Sequence, residues 1–471
     1  RNGDKEFPSG SYVIPLAQPA KRLVRTLLDP NIPMEEHFVK EQERRRKKNL
    51  PDEIYDVTAW NLALMFNVEC IPASEASQGS FTPAGDRTPP GAVAGDNATV
   101  AYLAPWGTLA SGRLLAASLR SGLRVWSADK PFTLGGRKYP SGTLIFKVKE
   151  NAASLAEALA KLAASTGAEI VGINSSWVDG GISLGSNHVV PMRKPAIALA
   201  WDTPASPLSA GWTRYVLERQ YDYPVTPVRT RQLASSGLHR FDVVILPEPS
   251  GSYMDTLGAA GVKRLKDWVT DGGTLVALGG SVAFLADSKV GLLSTSRENL
   301  AKPVEPGKPP EQKETAPAKP DAQAPARVPG KLLTSETEYE KALQPEAEPP
   351  DSVAGVILKA RVDSDHWLGA GLSGTVNAVV VGREIFTPIK LDKGVNVATF
   401  LGPDQLLQSG YLWEENRKQF AYKPLAVAQP DGRGVVIGFT ADPNFRAYVD
   451  GLNVLFLNAV FRGPAHARPA P

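Results

Sequence analysis

Apolar, strand-like runs alternate with amphipathic helices between Ala196 and Gly280, and this alternation most constrains how the 471-residue chain folds. The strand-like runs AIALAW, YPVTPV, FDVVILP and TLVALGG are interrupted by the helix-like sequences GWTRYVLERQY and GAAGVKRLKDWV. FDVVILP is apolar at nearly every position, which is typical of a strand buried on both faces of a parallel sheet. The pattern predicts an α/β fold containing a doubly wound parallel sheet with right-handed crossovers.

Composition limits the classes of protein to which the chain can belong. Hydrophobic residues make up 42%, and 52 basic residues nearly balance 49 acidic ones, which indicates a soluble globular protein of several domains. The basic run ERRRKK, Glu43 to Lys48, is flanked by acids and favours a solvated helix face, so we expect no nucleic-acid partner. No apolar run reaches the roughly 18 residues of a membrane span, and the single Cys70 excludes an internal disulfide.

Proline and glycine mark the expected segment boundaries. Eleven of the 40 prolines fall between Ala301 and Pro350, where large apolar side chains are scarce, and this predicts a flexible linker. The stretch from Pro72 to Asp96 is a second loop by composition. We therefore divide this multi-domain chain into an N-terminal α/β segment (1–71), a Gly/Pro-rich loop (72–97), an α/β region (98–194), the first part of the doubly wound domain (195–297), the linker (298–350), its second part with added strands (351–465) and a tail (466–471).

Two similar motifs lie in the N-terminal half. Phe7-Pro8-Ser9-Gly10 precedes the apolar run SYVI, and Tyr139-Pro140-Ser141-Gly142 precedes TLIF; a helix-like sequence follows each. The repetition predicts a unit of turn, strand and helix that occurs twice. After the linker, GTVNAVVVG, GVNVATF, PLAVAQ and GRGVVIGFT predict further strands, and LNVLFLNAVF predicts a closing helix.

Polar residues directly after the predicted strands are the candidate site. In open parallel sheets, ligands bind outside the carboxyl ends of the strands. Asp202, Glu248, Ser281 and Asp442 occupy such positions, with Ser281 on a strand-to-helix turn, and they would form a carboxylate-lined crevice. Arg446 would pair with Asp442 or receive an anion. The same residues also suit helix caps and tight turns, which is a structural interpretation.

The histidines do not form a metal motif. His37, His188, His239, His366 and His466 lie far apart, and no His-x-x-Glu occurs, so we expect no metal or cofactor in this chain.

Residues 195–297 and 351–465 resemble a class I glutamine amidotransferase-like domain, which has a flavodoxin-like doubly wound sheet. That family carries Cys at the nucleophile elbow and His-x-Glu after a later strand. Here the elbow reads Gly279-Gly280-Ser281-Val282, and ADPNFRAY follows the later strand. The chain departs from the family at both catalytic positions, so amidotransferase activity is not expected.

Nearly the whole chain resembles the long C-terminal region of bacterial zinc carboxypeptidases of the carboxypeptidase A-like class. The resemblance is carried by SGSYVIPLAQPAKRLVRTLL, LPDEIYDVTAWNLALMFNVE, DSDHWLGAGL, SGYLWEENRKQFAYKPLAV and GFTADPNFRAYVDGLNVLFLNAVFRG. It implies a preceding catalytic domain that releases C-terminal residues from peptides with zinc held by His-x-x-Glu and a later His. It also implies export to the periplasm or the medium. None of those catalytic motifs matches here, so no catalytic residue is carried over.

Three hypotheses follow. The first is a noncatalytic accessory region of an exported zinc carboxypeptidase, whose partner is the catalytic domain of the same precursor; the opening RNGDKEF reads as the interior of such a precursor. The second is a serine hydrolase with Ser281 as nucleophile and His239 or His366 as base. The third is a module that binds cell-wall glycan or peptide through its aromatic residues and the carboxylate crevice.

Overall fold

The computed structural model describes residues 5–301, 335 and 347–467, except 32, 86–88, 96, 235, 236 and 373. Most of the predicted linker 298–350 and of the tail 466–471 therefore lies outside the described residues. The described chain is mixed α/β, with strands in three sheets.

The helices of the described chain are α1 (Lys21–Leu28), α2 (Glu36–Lys47), α3 (Leu62–Met65), α4 (Leu109–Arg120), α5 (Leu155–Thr166), α6 (Pro207–Tyr215), α7 (Thr230–Leu233), α8 (Tyr253–Thr270), α9 (Ser281–Ala286), α10 (Pro403–Leu406), α11 (Glu414–Phe420), α12 (Asn453–Leu457) and α13 (Gly463–His466). Its strands are β1 (Val93–Ala94), β2 (Ala101–Ala104), β3 (Trp126–Ala128), β4 (Phe132–Leu134), β5 (Arg137–Tyr139), β6 (Leu144–Lys147), β7 (Ile170–Ile173), β8 (Gly180–Gly181), β9 (Val189–Pro191), β10 (Ile197–Ala200), β11 (Thr226–Val228), β12 (Val243–Leu246), β13 (Thr274–Leu278), β14 (Val353–Val362), β15 (Thr375–Gly382), β16 (Val395–Phe400), β17 (Leu407–Ser409), β18 (Pro424–Asp431) and β19 (Gly434–Phe439). None of these helices is both long enough and apolar enough to cross a bilayer.

The largest sheet joins sequence from both sides of the linker. Its order is β11-β10-β12-β13-β19-β18-β16-β14-β15, with β17 beside β14. The pairings from β11 to β19 are parallel, as the alternation of strands and helices predicts. Beyond β19 the pairings are antiparallel. The fifth parallel strand, β19, therefore follows an antiparallel extension. Within that extension, β14 and β17 were not predicted from the sequence.

A second sheet, with the order β1-β7-β2-β6-β3-β9, is built from the region between residues 93 and 191. Strand β2 pairs antiparallel with both β6 and β7, while the short β1 pairs parallel with β7. Helices α4 and α5 bury their apolar sides in the same core as this sheet. The predicted strand-helix alternation is present here, but the sheet is mixed.

The two Pro-Ser-Gly motifs form the same turn in different surroundings. Gly10 and Gly142 both have φ of +90°, and in each motif the hydroxyl after the glycine donates to the proline carbonyl. Thr143 leads into the buried β6, whereas residues 11–14 form no strand, and the Tyr12 and Ile14 side chains are 75% and 52% exposed. The prediction of a strand at SYVI was wrong, because no strand among the described residues pairs with it.

The C-terminal helices join the two large sheets. Fully buried Asn458, just after α12, accepts a hydrogen bond from Trp106 Nε1 at 2.9 Å. Its Nδ2 donates to the carbonyls of Leu368 and Ala370, both at 2.8 Å. One side-chain amide thereby links the region 98–194 to the segment after the linker, with its donors and acceptor satisfied.

The basic run on α2 forms ion pairs with acidic residues. Arg46 donates to Asp351 at 2.7 Å and contacts Glu415 at 3.0 Å, with its guanidinium 4.9 Å from the ring centre of Trp413. Arg44 and Arg45 pair with nearby glutamates. Through Arg46, the run therefore links the N-terminal segment to the region after the linker.

We expect Gly142→Ala to destabilise the protein much more than Gly10→Ala, although both glycines have the same φ. A Cβ at Gly142 would lie 2.3 Å from Trp106 Cδ1, whereas one at Gly10 meets nothing within 4 Å. Both variants carry the left-handed backbone penalty of about 1 kcal/mol, and overpacking adds about 1–3 kcal/mol at Gly142 alone. Urea unfolding followed by tryptophan fluorescence measures the difference, and equal unfolding curves for the two variants would contradict the proposed packing.

Candidate functional site

Three of the predicted site residues meet at the carboxyl edge of the parallel sheet. Glu248 follows β12, Ser281 follows β13 and Asp442 follows β19. Ser209 on α6 connects two of them: its hydroxyl donates to Asp442 and accepts a hydrogen bond from the Glu248 backbone N–H at 3.1 Å. Parallel strands bring their carboxyl ends to one edge, which explains why these residues converge.

Ser209 was not identified from the sequence. Its local signal is the pair Ser206 and Ser209 at the start of α6, where Ser206 Oγ accepts the Ser209 backbone N–H. This pattern is typical of a helix N-cap. The second hydrogen-bonding role of Ser209, toward Asp442, depends on a residue 233 positions away.

The Glu248 carboxylate lies against the backbone of the elbow at Gly279 and Gly280. Gly280 N–H donates to Glu248 Oε2 at 2.5 Å. A Cβ at Gly279 would lie 1.7 Å from the same oxygen, and one at Gly280 would lie 2.7 Å from Oε1. Gly279 also has φ of +54°, a region that side chains disfavour. A side chain at either glycine would therefore displace this carboxylate from its hydrogen bond with Gly280.

Ser281 points into the protein. Its side chain is fully buried, and Oγ donates to the carbonyl of Pro247, which also accepts a hydrogen bond from Tyr253 OH at 3.1 Å. His239 precedes β12 and so lies toward the opposite edge of the sheet from Ser281. His366 instead accepts the Leu368 backbone N–H at Nδ1. The geometry gives Ser281 a structural hydrogen bond and pairs neither histidine with it.

Asp202 and Arg446 do not join this cluster. Asp202 Oδ1 accepts the backbone N–H of Thr230 at 2.7 Å and so holds the first turn of α7. Arg446 donates to Asp56 at 2.7 Å. The expected pair with Asp442 was wrong, because that carboxylate is directed inward to Ser209, while φ of +53° carries Arg446 to the surface.

Burial makes the clustered carboxylates weak acids. Burial raises the pKa of Glu248 to about 7, with a further contribution from the negative charge of Asp442 and against the Gly280 hydrogen bond. Burial raises the pKa of Asp442 to about 6, against the hydrogen bonds from Ser209 and Asn444. The carboxyl groups of Glu248 and Asp442 therefore change charge near neutral pH and hold protons in mildly acidic solution.

A separate polar cluster surrounds the C-terminal helix α13. Arg462, almost fully buried, donates to Asp129 at 2.6 Å, and the His466 ring stacks on Trp367 with ring centres 4.6 Å apart. Burial lowers the pKa of the neighbouring His366 to about 4. In the described part of the chain, no three His, Cys, Asp or Glu side chains come together as a metal site.

Comparisons with known proteins leave the site to be interpreted from its own geometry. No family model matches the chain, and no curated protein matches it. A solved "thua-like protein" from Parabacteroides merdae is 12% identical with a TM-score of 0.34, over 56% of this chain and 87% of that one. β-Galactosidases from Bacillus circulans sp. alkalophilus and Rahnella sp. R3 are 10% and 14% identical, with TM-scores of 0.29 and 0.28, over 56% and 64% of this chain. The chain spans 30% and 33% of those two enzymes.

We expect Glu248→Gln to flatten the fall in stability between about pH 6 and pH 7, whereas the pH dependence that Asp442 contributes at lower pH should remain. Because folding raises this pKa from 4.5 to about 7, the native state binds more protons than the unfolded chain between those values, so stability falls as the pH rises through that window. The glutamine variant keeps an oxygen for Gly280 N–H and should gain roughly 3 kcal/mol relative to the native protein above pH 7.

Urea unfolding at a series of pH values measures this slope. Glu414→Gln, at an exposed carboxylate on α11, is the control and should leave the slope unchanged. A native slope retained in Glu248→Gln would show that another group carries the dependence.

Proposed function

We propose that this chain is a noncatalytic accessory region of an exported zinc carboxypeptidase and supports or positions the catalytic domain of the same precursor. One observation carries the proposal: in the amidotransferase-like sheet, the groups of the elbow form hydrogen bonds with other residues of the chain. The Glu248 carboxylate takes the Gly280 N–H, and Ser281 donates to the carbonyl of Pro247. An elbow of this kind presents no nucleophile, and its Gly280 N–H is already occupied and cannot bind an oxyanion.

The strand order supports assigning the parallel part of the large sheet to the flavodoxin-like class. Numbered along the chain, strands β10, β11, β12, β13 and β19 are arranged in the order 2-1-3-4-5, which is the flavodoxin-like order. The elbow then follows the fourth strand, and Asp442 follows the fifth. In this proposal the class I amidotransferase-like domain keeps its scaffold and has lost its catalytic residues.

The exposed N-terminal segment supports contact with a further domain. Residues 7–23, here called the N-terminal arm, carry the apolar side chains Phe7, Tyr12, Val13, Ile14, Leu16 and Leu23, all exposed. Their concentration in one short segment supports an interaction site there, since clustered exposed apolar side chains commonly mark one. We assign the partner surface to the catalytic domain, where the zinc would also be held. The dispersed histidines of this chain do not fit a zinc site of the His-x-x-Glu type.

The serine hydrolase alternative makes an opposite prediction for Ser281. If Ser281 only donates to Pro247, neither the native chain nor Ser281→Ala should hydrolyse p-nitrophenyl esters above the background rate. The measurement is the release of p-nitrophenol by matched concentrations of the two proteins. A native rate that Ser281→Ala abolishes would favour the hydrolase.

The proposal itself is tested on the native protein. Mass spectrometry of the precursor from its source cells should show a zinc carboxypeptidase sequence before Arg1, and that precursor should hold zinc and release C-terminal residues. The fragment alone should do neither. Zinc bound stoichiometrically by the fragment with turnover of model peptides would overturn the noncatalytic assignment.

We expect Ile14→Asp to lower the thermal stability of the precursor, because it would place a charge in the proposed contact between the arm and the catalytic domain. In the fragment the same change should have little effect, since Ile14 is already exposed. Leu391→Asp is the matched control at a 94% exposed leucine and should change neither protein. Differential scanning calorimetry of both proteins gives the comparison, and equal effects of Ile14→Asp in precursor and fragment would argue against the contact.

A further inference from the structure

A solvent-open cavity of about 340 Å³ lies between helix α6 and the loop 442–448. Its volume is within the range of small-molecule sites. It is lined by Gly211, Trp212, Tyr215, Arg446, Ala447 and Tyr448. We propose that this cavity binds a neutral saccharide, and this inference is independent of the proposed accessory role.

Aromatic side chains form two walls of the cavity. Trp212 and Tyr215 are three residues apart on α6 and therefore share one face of the helix. Tyr448 lies on the loop opposite, and the Tyr215 and Tyr448 side chains are 53% and 43% exposed. Rings of this type combine an apolar face with a polar tip, which suits a ligand with C–H surfaces and hydroxyl groups.

Contacts behind the walls hold two of these rings, Trp212 and Tyr448, in place. The Trp212 ring packs edge-on against Phe445, with ring centres 5.1 Å apart. The Tyr448 ring packs edge-on against Phe66 at 5.7 Å. Side chains held by such packing lose little conformational entropy when a ligand binds.

The charged group of the cavity is already neutralised. Arg446 donates to Asp56 at 2.7 Å, and its guanidinium lies 4.8 Å from the ring centre of Trp60. A guanidinium has five N–H donors, so Arg446 keeps donors for the hydroxyl groups of a ligand while it is paired with Asp56. An anionic ligand would have to compete with Asp56 for the arginine. The charge balance therefore favours an uncharged ligand with many hydroxyls.

The loop is held in a strained backbone conformation at the cavity. Arg446 and Ala447 have φ of +53° and +51°, which is uncommon for residues with a side chain and costs energy. Buried Asn444 stabilises this conformation: its backbone N–H donates to Asp442 at 2.9 Å, and its Nδ2 donates to Thr213 of α6 at 3.2 Å. Asp442 is thus a positioning residue that fixes the loop against the helix carrying Trp212 and Tyr215.

Gly211 provides a way to fill the cavity without removing a ring. A Cβ built at Gly211 meets nothing within 4 Å, so a larger side chain there would extend into open space. Leucine also has a higher helix propensity than glycine. Gly211→Leu should therefore block the cavity without destabilising α6.

The test is isothermal titration calorimetry of the chain with short linear oligosaccharides of glucose, galactose and N-acetylglucosamine, and with an acidic and a neutral peptide. We expect at least one saccharide to bind. Tyr215→Ala and Trp212→Ala should each weaken that binding at least about tenfold, and Gly211→Leu should abolish it. Trp177→Ala, at an 80% exposed tryptophan outside the cavity lining, is the matched control and should bind as the native chain does.

Three results would overturn the proposal. One is binding of none of the saccharides, and another is saccharide binding that Tyr215→Ala and Gly211→Leu leave unchanged. The third is binding at this cavity of a peptide alone. Because Trp212 also packs on Phe445, thermal melting of Trp212→Ala serves as a check on its folding. If that variant is unfolded, Tyr215→Ala, at an exposed residue, and the helix-compatible Gly211→Leu decide the outcome.

Discussion

The pairing of β13 with β19 is the interaction on which the rest of the structure depends. The chain leaves the parallel sheet after Leu278 and returns at Gly434, where five residues of each strand pair in register. Both strands are buried throughout, so the apolar surface they remove from water offsets the entropy of closing so long a loop. That closure cost grows slowly with loop length, and this explains how the antiparallel strands β14–β18 are accommodated between two neighbouring parallel strands.

The pairing of β13 with β19 also assembles the polar cluster of Ser209, Glu248 and Asp442 at the carboxyl edge of the sheet. It brings Asp442 to Ser209 and into the electrostatic field of Glu248, and burial then raises the pKa of both carboxyl groups. This arrangement has a cost, because each carboxylate loses hydration, and part of that cost is offset by the Gly280 and Asn444 backbone hydrogen bonds. The hydrogen bonds of Glu248 and Asp442 hold the loops that follow the strands, and they leave neither carboxylate as an exposed reactive group. This agrees with an elbow whose Gly280 N–H is bound by Glu248.

Long apolar runs were sufficient to predict the strands that are buried on both faces, since FDVVILP and TLVALGG leave little alternative to β12 and β13. The same reasoning failed at SYVI, where the local pattern favours a strand but no described strand pairs with it. It also missed β14, whose pairing with β15 shifts register between Val353 and Val356 and so departs from a regular alternation. Strand propensity describes a half-buried surface, and it forms a strand only where tertiary structure supplies the other half.

The sequence by itself determined which residues follow the parallel strands, and therefore that Glu248, Ser281 and Asp442 lie at one edge. Only the tertiary structure decided what they do there: Glu248 bonds to the elbow, Ser281 donates inward, and Arg446 pairs with Asp56 rather than Asp442. The cavity between α6 and the loop 442–448 was equally beyond the sequence. Which segments form buried strands follows from local patterns of apolar residues, whereas the direction of a side chain depends on backbone angles and on partners that lie hundreds of residues away.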